Sequence, residues 1–547
     1  MKNIRLWDHA PLLRTYSQLQ EIRTYYKFND VDNDRYLIDG EYRQIMLSPR
    51  ELSYPALPSR SWVNEHIIYT HGHGVVMGPV NRISKEGLPE FFIKDIPPVS
   101  SVNIKVTRPE IYYGETSNEY VFVGTKSPEF DYPEGDKNVY TRYEGKGGVP
   151  LSFLKKILFA VRFKSVTMLL SGDITNESRV LFYRNVPERV ARIAPFARLD
   201  TDPYLVISSE GRLLWFIDGY TVTDKFPYSE SLPGRVNYIR NSIKAVVDAY
   251  DGSVRLYVSD DQDPVIRTYE KIFPGVFKKM DEMPEDLRSH VRYPMGMLAI
   301  QAAMYRAYHM EDAQVFYNKE DLWAIPAKHG SEEQIDPYYT IMKLPEEEKE
   351  EFILLLPFTP SRKDNMSAWM AARCDEPHYG KLIAYKFPKE KIVYGPKQVE
   401  ARIDQDTEIS RQLSLWGQRG SQVIRGSLLA IPIENSLLYV EPLYLAAERG
   451  QLPELKRVII AYGNSVVMEE NLEISLQRIF GGEIMHDKEI KKIAGPYRTE
   501  QTDRQLALDA LSHYRKAQEY LRQENWSSYG EALRKMDEIL RTIEKRH

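Results

Sequence analysis

Short apolar segments separated by turn-forming residues recur along most of this chain, and this pattern limits its fold more than any other feature. The first hundred residues place such segments between Pro, Gly and Asn residues, and a second strand-rich stretch follows residue 336. Helical patterns occur among them, but strands and helices do not alternate regularly as they do in a doubly wound sheet. The sequence therefore predicts an α+β fold with mixed, mainly antiparallel sheets and packed helices.

Two pairs of segments give the strongest local predictions of strand pairing. Ser242–Tyr250 and Ser253–Val258 flank Asp251-Gly252, a dipeptide typical of hairpin loops because the turn positions need positive φ. A second pair lies within residues 204–217, around a turn at Ser209–Gly211. We predict an antiparallel hairpin at each place.

Changes in composition divide the 547 residues into five predicted regions. They are a β-rich N-terminal region (1–100), an α+β domain with hairpins and helices (101–330), a second α+β domain (331–482), a linker (483–500) and a C-terminal antiparallel helical hairpin (501–547). The last prediction rests on two apolar stripes at helical spacing, and on Thr502 with Gln505 and Ser528 with Glu531 at the spacing of a capping box.

The charge balance and the single cysteine exclude several classes of protein. Lys and Arg number 73 against 78 Asp and Glu, a formal charge of -5, and the basic residues are dispersed among acids. A nucleic-acid partner is therefore not expected. Cys374 is the one cysteine, so an internal disulfide cannot form.

The most apolar helix-like stretch, Leu151–Leu170, is predicted to be an amphipathic helix and not a membrane span. Four cations interrupt it, and each cation near the middle of a bilayer costs about 3 kcal/mol. They are Lys155, Lys156, Arg162 and Lys164. The sequence predicts that the apolar face, which consists of Phe153, Leu154, Ile157, Leu158 and Val161, packs on a core.

One acidic segment has the spacing of a calcium-binding loop. Asp30, Asp32 and Asp34 occupy alternate positions and Glu41 follows at the twelfth, which matches the oxygen ligands that calcium prefers. The sixth position of such a loop is normally Gly, and here it is Arg35. Calcium is thus a possible cofactor, and a solvated acidic turn is the alternative.

Two histidines two residues apart form a second candidate metal site. His71 and His73 lie in the segment Thr70–Gly74, with His66 nearby. On a strand this spacing places both rings on one face, where they can bind a transition metal such as zinc. A third ligand is not evident from the sequence.

Several long segments resemble an uncharacterised protein family of large prokaryotic multi-spanning membrane proteins, of the UPF type. The segments that carry the resemblance are Ile22–Tyr26, Tyr69–Asn81, Leu88–Pro98, Asn138–Pro150, Val315–Trp323 and Ile431–Leu445. The resemblance extends from about Asn3 to Gly481.

The resemblance implies a longer protein in which several membrane-spanning helices precede this region. The chain is then expected to be the soluble part on the extracytoplasmic side of the cell membrane, and Met1 to begin a truncated form. No signal peptide is visible, and the missing spans would direct export instead. The resemblance also implies that an aromatic residue often replaces His73, which counts against a two-histidine metal site, and that Arg35 belongs to a structural turn.

These observations favour a non-enzymatic, membrane-anchored module of the cell envelope that binds another envelope protein or itself. The hypothesis rests on the lack of a converged catalytic set in the sequence and on the 37 tyrosines, a residue type enriched at interfaces. The alternatives are an extracytoplasmic metal-dependent hydrolase, with the ligands named above, and an accessory domain of a transporter.

Overall fold

The structure, a computed structural model, describes most of the chain. The described residues are 2–231, 236–345, 347–390, 392–418, 420–433, 436–447, 450, 452–481, 533–534 and 536–537. Contacts divide the chain into two units, residues 1–482 and 483–547. The predicted linker and C-terminal hairpin lie outside the described residues, apart from residues 533–534 and 536–537, which are helical.

Eleven α-helices occur in the described part of the first unit. They are α1 (His9–Gln20), α2 (Phe153–Phe163), α3 (Val166–Leu170), α4 (Val186–Ile193), α5 (Pro264–Ile272), α6 (Glu285–Arg288), α7 (Met295–Tyr308), α8 (Ala313–Asn318), α9 (Pro396–Gln405), α10 (Thr407–Trp416) and α11 (Leu472–Phe480). Helix α1 was not predicted from the sequence. It forms within the strand-rich N-terminal region because Leu12 and Tyr16, one helical turn apart, both enter the core.

The strands form open, mainly antiparallel sheets. The N-terminal sheet contains Asp32–Ile38, Glu41–Pro49, Val75–Pro79, Ile93–Lys94 and Val99–Ser100 in this order. The largest sheet contains Arg198–Leu199, Tyr204–Ile207, Leu213–Thr223, Tyr238–Asp248, Val254–Val258 and Phe277–Lys279. Among the named strands, only the last two pair in parallel.

Two further sheets lie C-terminal to these. One contains Trp323–Ala324, Tyr338–Lys343, Glu350–Pro360, Ala368–Arg373 and Leu382–Lys386, and the other contains Ser421–Arg425, Leu429–Ile433, Ser436–Ala447, Glu454–Tyr462 and Ser465–Glu469. Smaller sheets are formed by Tyr26–Lys27 with Glu51–Leu52, by Gly72–His73 with Glu110–Ile111, by Glu129–Glu134 with Lys137–Thr141, and by Val121–Val123, Arg179–Leu181 and Val149–Pro150. The mixture of helices with antiparallel sheets confirms the α+β prediction.

The hydrophobic core crosses the predicted domain boundaries near residues 100 and 330. One cluster joins Leu47 and Val75 of the N-terminal sheet to Trp215 and Val247 of the largest sheet. Another joins α1 and the N-terminal sheet to the last sheet and α11, with Val440 and Val458 among its members. The two boundaries therefore stay predictions. The N-terminal sheet packs against both of the later regions.

Candidate functional site

The acidic segment that suggested a calcium loop is a β-hairpin. Strands Asp32–Ile38 and Glu41–Pro49 pair in register, and Ile38 lies opposite Glu41 across the turn. The loop residues Asp39 and Gly40 have φ of 50° and 81°, as a two-residue hairpin turn requires.

Within this hairpin the four predicted calcium ligands have separate partners. The Asp32 carboxylate accepts a hydrogen bond from the backbone N–H of Leu205 (2.9 Å), and the Asp34 carboxylate lies 2.7 Å from His290 Nδ1. Asp30 accepts from the next backbone N–H in the chain, and Glu41 pairs with Lys2 and Arg43. Burial raises the pKa of Asp32 well above its usual range, which disfavours its charged form.

The structure brings the two predicted histidines together with a carboxylate. Asp131 Oδ1 lies 2.8 Å from His73 Nδ1 and 3.3 Å from His71 Nε2. Each of the two histidines is only 1% exposed. Burial opposes ionisation of Asp131, but the two adjacent imidazoles outweigh it and hold the pKa of Asp131 below its usual range. His66, the third histidine of the segment, is separate, because its Nδ1 lies 2.7 Å from the Tyr120 carbonyl oxygen.

Two local backbone features position this triad. The short strand Gly72–His73 pairs with Glu110–Ile111, so that His73 lies directly opposite Glu110. Asp131 is the extra residue of a β-bulge, because Phe130 pairs with Tyr140 and Tyr132 with Val139. A bulge redirects a side chain. It brings Asp131 to histidines about sixty positions earlier in the chain, which periodicity alone could not reveal.

A hydrogen-bond network supports His71 on the Nδ1 side of its ring. Its Nδ1 lies 2.9 Å from Thr70 Oγ1, and Thr70 Oγ1 in turn donates to Glu129 Oε2 at 2.7 Å. Tyr112 also donates to Glu129 Oε2 at 2.7 Å, and burial raises the pKa of Tyr112 well above its usual range. Each phenol and hydroxyl proton of this network therefore has an acceptor.

A second group of possible ligands is already neutralised. Glu347, Glu351 and His378 also offer ligand atoms close together. However, Arg373 donates to both carboxylates, at 2.8 Å to Glu347 and 2.7 Å to Glu351. The guanidinium occupies the position that a cation would need, so the His71 group is the better candidate.

The apolar face of α2 and α3 is exposed, which corrects the prediction that it packs on a core. Phe153 is 77% exposed, Leu158 60%, Val161 74% and Leu170 80%. The helix packs through its other side: Phe159, Ala160 and Phe163 join a core with Phe122 and Val180. Helix α2 thus carries apolar residues on two sides. The sequence pattern alone could not show which side would be buried.

A cavity of about 400 Å³ lies between α1, α9 and the last sheet. Its polar lining includes Asp8, His9, His329, Glu400 and Arg425, and it does not include His71 or His73. Within the described residues, no helix is both long and apolar enough to cross a membrane.

Comparison with known proteins identifies relatives over nearly the whole chain. The profile of an uncharacterised protein family, UPF0182, matches residues 1–416. A UPF0182 protein of Geotalea uraniireducens (strain Rf4) is 60% identical over 550 residues, covering 99% of this chain and 61% of the relative. A second, UPF0182 protein GSU2333 of Geobacter sulfurreducens, is 60% identical over 545 residues, with coverages of 99% and 60%.

A more distant relative, a UPF0182 protein of Desulforamulus reducens (strain ATCC BAA-1160 / DSM 100696 / MI-1), is 53% identical over 557 residues, with coverages of 99% and 60%. The chain thus spans about 60% of the length of these curated relatives. No solved structure matches the chain.

Proposed function

The chain belongs to the uncharacterised protein family UPF0182, and from this premise we propose that it is the extracytoplasmic part of a longer, membrane-anchored envelope protein. In this proposal the chain lies against the outer face of the bilayer through α2 and α3 and acts as a non-enzymatic binding or assembly module. The observation that carries the proposal is the exposed apolar face of these two helices.

The composition of this face favours a lipid surface. Soluble proteins rarely expose contiguous apolar patches of this kind unless the patch binds a partner. Lys155, Lys156, Arg162 and Lys164 accompany the apolar residues, and residues 151–172 contain no Asp or Glu. An exposed apolar face with adjacent cations matches helices that lie in the headgroup region of anionic membranes.

The remaining length of the relatives supports the same arrangement. About 40% of each relative lies outside the part that this chain matches and provides room for a membrane anchor. An anchored domain stays close to the bilayer, so even a modest affinity of α2 and α3 for lipid is enough to fix its orientation.

Vesicle binding tests the proposal on the full chain. We expect co-sedimentation with phosphatidylglycerol-containing vesicles, and weaker binding to phosphatidylcholine vesicles or at high salt. The double variant L158E/V161E places two charges on the exposed face without touching the core and should abolish binding. L415E, at an exposed apolar position of α10, is the matched control and should bind like wild type.

Two results would contradict the proposal. Binding that L158E/V161E leaves intact would show that another surface contacts lipid. If the chain instead forms a dimer that L158E/V161E dissociates in sedimentation velocity, the face is an interface between copies.

A further inference from the structure

The buried cluster around His71 supports an inference that goes beyond membrane docking. We propose that His71 Nε2, His73 Nδ1 and Asp131 Oδ1 form a binding site for a borderline divalent transition cation, with Zn²⁺ as its probe. Two imidazoles and one carboxylate form a ligand set that such ions favour over the hard cations Ca²⁺ and Mg²⁺.

The three ligand atoms have suitable spacing. They all lie within 4.8 Å of one another, with separations from Asp131 Oδ1 of 2.8 Å and 3.3 Å. Zinc bonds to nitrogen and oxygen ligands are about 2.0–2.1 Å long, which places two ligands of a tetrahedral ion about 3.3 Å apart. Small rotations of the side chains are enough to receive the ion.

The hydrogen bonds of Thr70 indicate which ring nitrogen of His71 carries the lone pair. Thr70 has one hydroxyl proton and donates it to Glu129, so Thr70 Oγ1 accepts from His71 Nδ1–H. In the neutral ring His71 Nε2 then carries a lone pair, and it lies 3.3 Å from Asp131 Oδ1. A metal ion placed between these two atoms can be coordinated by both of them.

His73 also has a ring nitrogen that is not one of the proposed ligand atoms. Its Nε2 is buried and lacks a hydrogen-bond partner within the part of the chain that the structure describes. The same holds for Oε2 of Glu110, which lies opposite His73 on the paired strand. Buried polar atoms are rarely left without partners, so both atoms indicate room for a water molecule. When a metal binds one ring nitrogen, the other N–H usually donates to such an outer partner.

The local charge also favours a cation. Three carboxylates surround the histidines, from Glu110, Glu129 and Asp131, whereas the nearby Arg50 and Arg184 direct their guanidiniums to the backbone carbonyls of His73 and Thr70. Through these bonds the arginines hold the backbone of the segment in place. The Asp131 side chain is 13% exposed, which gives an ion a path from solvent.

Three protein ligands leave one coordination position open. Structural zinc sites normally use four protein ligands, while sites with three hold a water or a ligand group in the fourth position. The site is therefore suited to bind an exogenous donor atom from a partner or small molecule.

The first test is metal binding by the metal-stripped full chain. We expect one Zn²⁺ per chain in competition with a chromophoric chelator, and the visible absorption of a four-coordinate Co²⁺ complex on titration with cobalt. D131N and H73F should each weaken Zn²⁺ binding by at least tenfold. H66N, which removes a buried histidine outside the cluster, is the matched control and should bind like wild type.

A positioning variant separates ligation from general packing. T70V keeps the shape of Thr70 but removes the acceptor for His71 Nδ1–H, and loss of such support costs about 10–100-fold in metal affinity. If wild type binds no Zn²⁺ and gives no cobalt spectrum, the proposal is wrong. Equal affinity in D131N and wild type would overturn it too, and if the variants fail to fold, the wild-type cobalt spectrum decides. Vesicle binding is measured separately, so either proposal can fail alone.

Discussion

The ring of Phe163 lies nearly parallel to the ring of Tyr120, with an interplanar angle of 3° and centroids 4.0 Å apart. The Tyr120 ring also stacks on the His66 ring, with centroids 4.1 Å apart. These stacked rings attach α2 to the body of the protein through its inner face. The outer face is exposed, so the two faces of the helix can be altered separately.

Mutations on the two faces of α2 should therefore differ in their effect on stability. F163A removes the stacked ring from a partly buried position and should lower the free energy of unfolding by about 2 kcal/mol. L158A lies on the exposed face and should change it by less than about 0.5 kcal/mol. Urea denaturation of both variants tests the difference, and equal losses would mean that the outer face is also packed.

Glycines at two hairpins offer a matched test of strain against steric clash. Gly40 and Gly252 both have positive φ, 81° and 69°. A Cβ on Gly40 would meet nothing within 4 Å, whereas one on Gly252 would lie 2.4 Å from Tyr113 Cζ. G40A should cost only the backbone strain, about 1–2 kcal/mol, and G252A about 3–5 kcal/mol because the Tyr113 ring must move. If thermal melts show that G40A lowers the melting temperature more than G252A does, this explanation is wrong.

The same two turns show what the sequence could and could not predict. The hairpin around Asp251-Gly252 is confirmed, with strands Tyr238–Asp248 and Val254–Val258, but its loop is longer than two residues and only Gly252 has positive φ. The true two-residue turn is Asp39-Gly40, where the spacing of acidic residues suggested calcium instead. The Asp-Gly dipeptide thus located a turn correctly. The acidic residues of the supposed calcium loop instead make hydrogen bonds and ion pairs to separate parts of the fold.

Long-range partners explain the other differences. Asp131 reaches His71 and His73 through a bulge, and no pattern in one sequence specifies such a pairing. The exposed face of α2 has the same apolar spacing as a core face, so periodicity identified an amphipathic helix but not its environment. In both cases the sequence supplied the right residues and tertiary contacts determined their role.

Calcium offers a direct test of the acidic hairpin. Because Asp32 and Asp34 are bound by Leu205, His290 and Arg35, we expect no calcium site there. The melting temperature of the metal-stripped chain should be the same with and without millimolar Ca²⁺. A site filled at 100 times its dissociation constant would stabilise the chain by about 2.7 kcal/mol, so a clear rise that D34N removes would restore the calcium hypothesis.

A buried ion pair should be far more sensitive to substitution than an exposed one. Lys244 and Asp218 pair with side chains 2% and 3% exposed, and Lys244 Nζ also donates to the Arg292 carbonyl oxygen at 3.1 Å. K244M leaves Asp218 as an unpaired buried charge and should cost about 3–5 kcal/mol. The exposed pair of Arg240 with Asp260 is the control, and R240M should cost less than about 1 kcal/mol. The double variant K244M/D218L should recover part of the loss; no recovery would mean that packing, not charge, is responsible.

His9 should make the stability of the protein depend on pH between about 4 and 6.5. Burial, with help from the charges of Arg5 and Arg292 and against that of Asp8, lowers the pKa of His9 to about 4. Asn33 Nδ2 lies 2.8 Å from His9 Nε2, and Asn33 Oδ1 accepts from Gln44, so the Asn33 amide donates to the neutral ring. The unfolded chain binds this proton at about pH 6.5 and the folded chain only near pH 4. The stabilisation is therefore complete above pH 6.5 and is lost as the pH falls toward 4, by up to about 3 kcal/mol.

The variant H9Q isolates this contribution, because its amide oxygen can still accept from Asn33 but cannot bind a proton. Urea denaturation at pH 7 and at pH 4.5 gives the loss of stability for each protein. The loss should be smaller in H9Q, while the other histidines contribute equally to both proteins and cancel in the comparison. An identical loss in wild type and H9Q would mean that His9 does not carry the pH dependence, and that its hydrogen bond to Asn33 does not persist in solution.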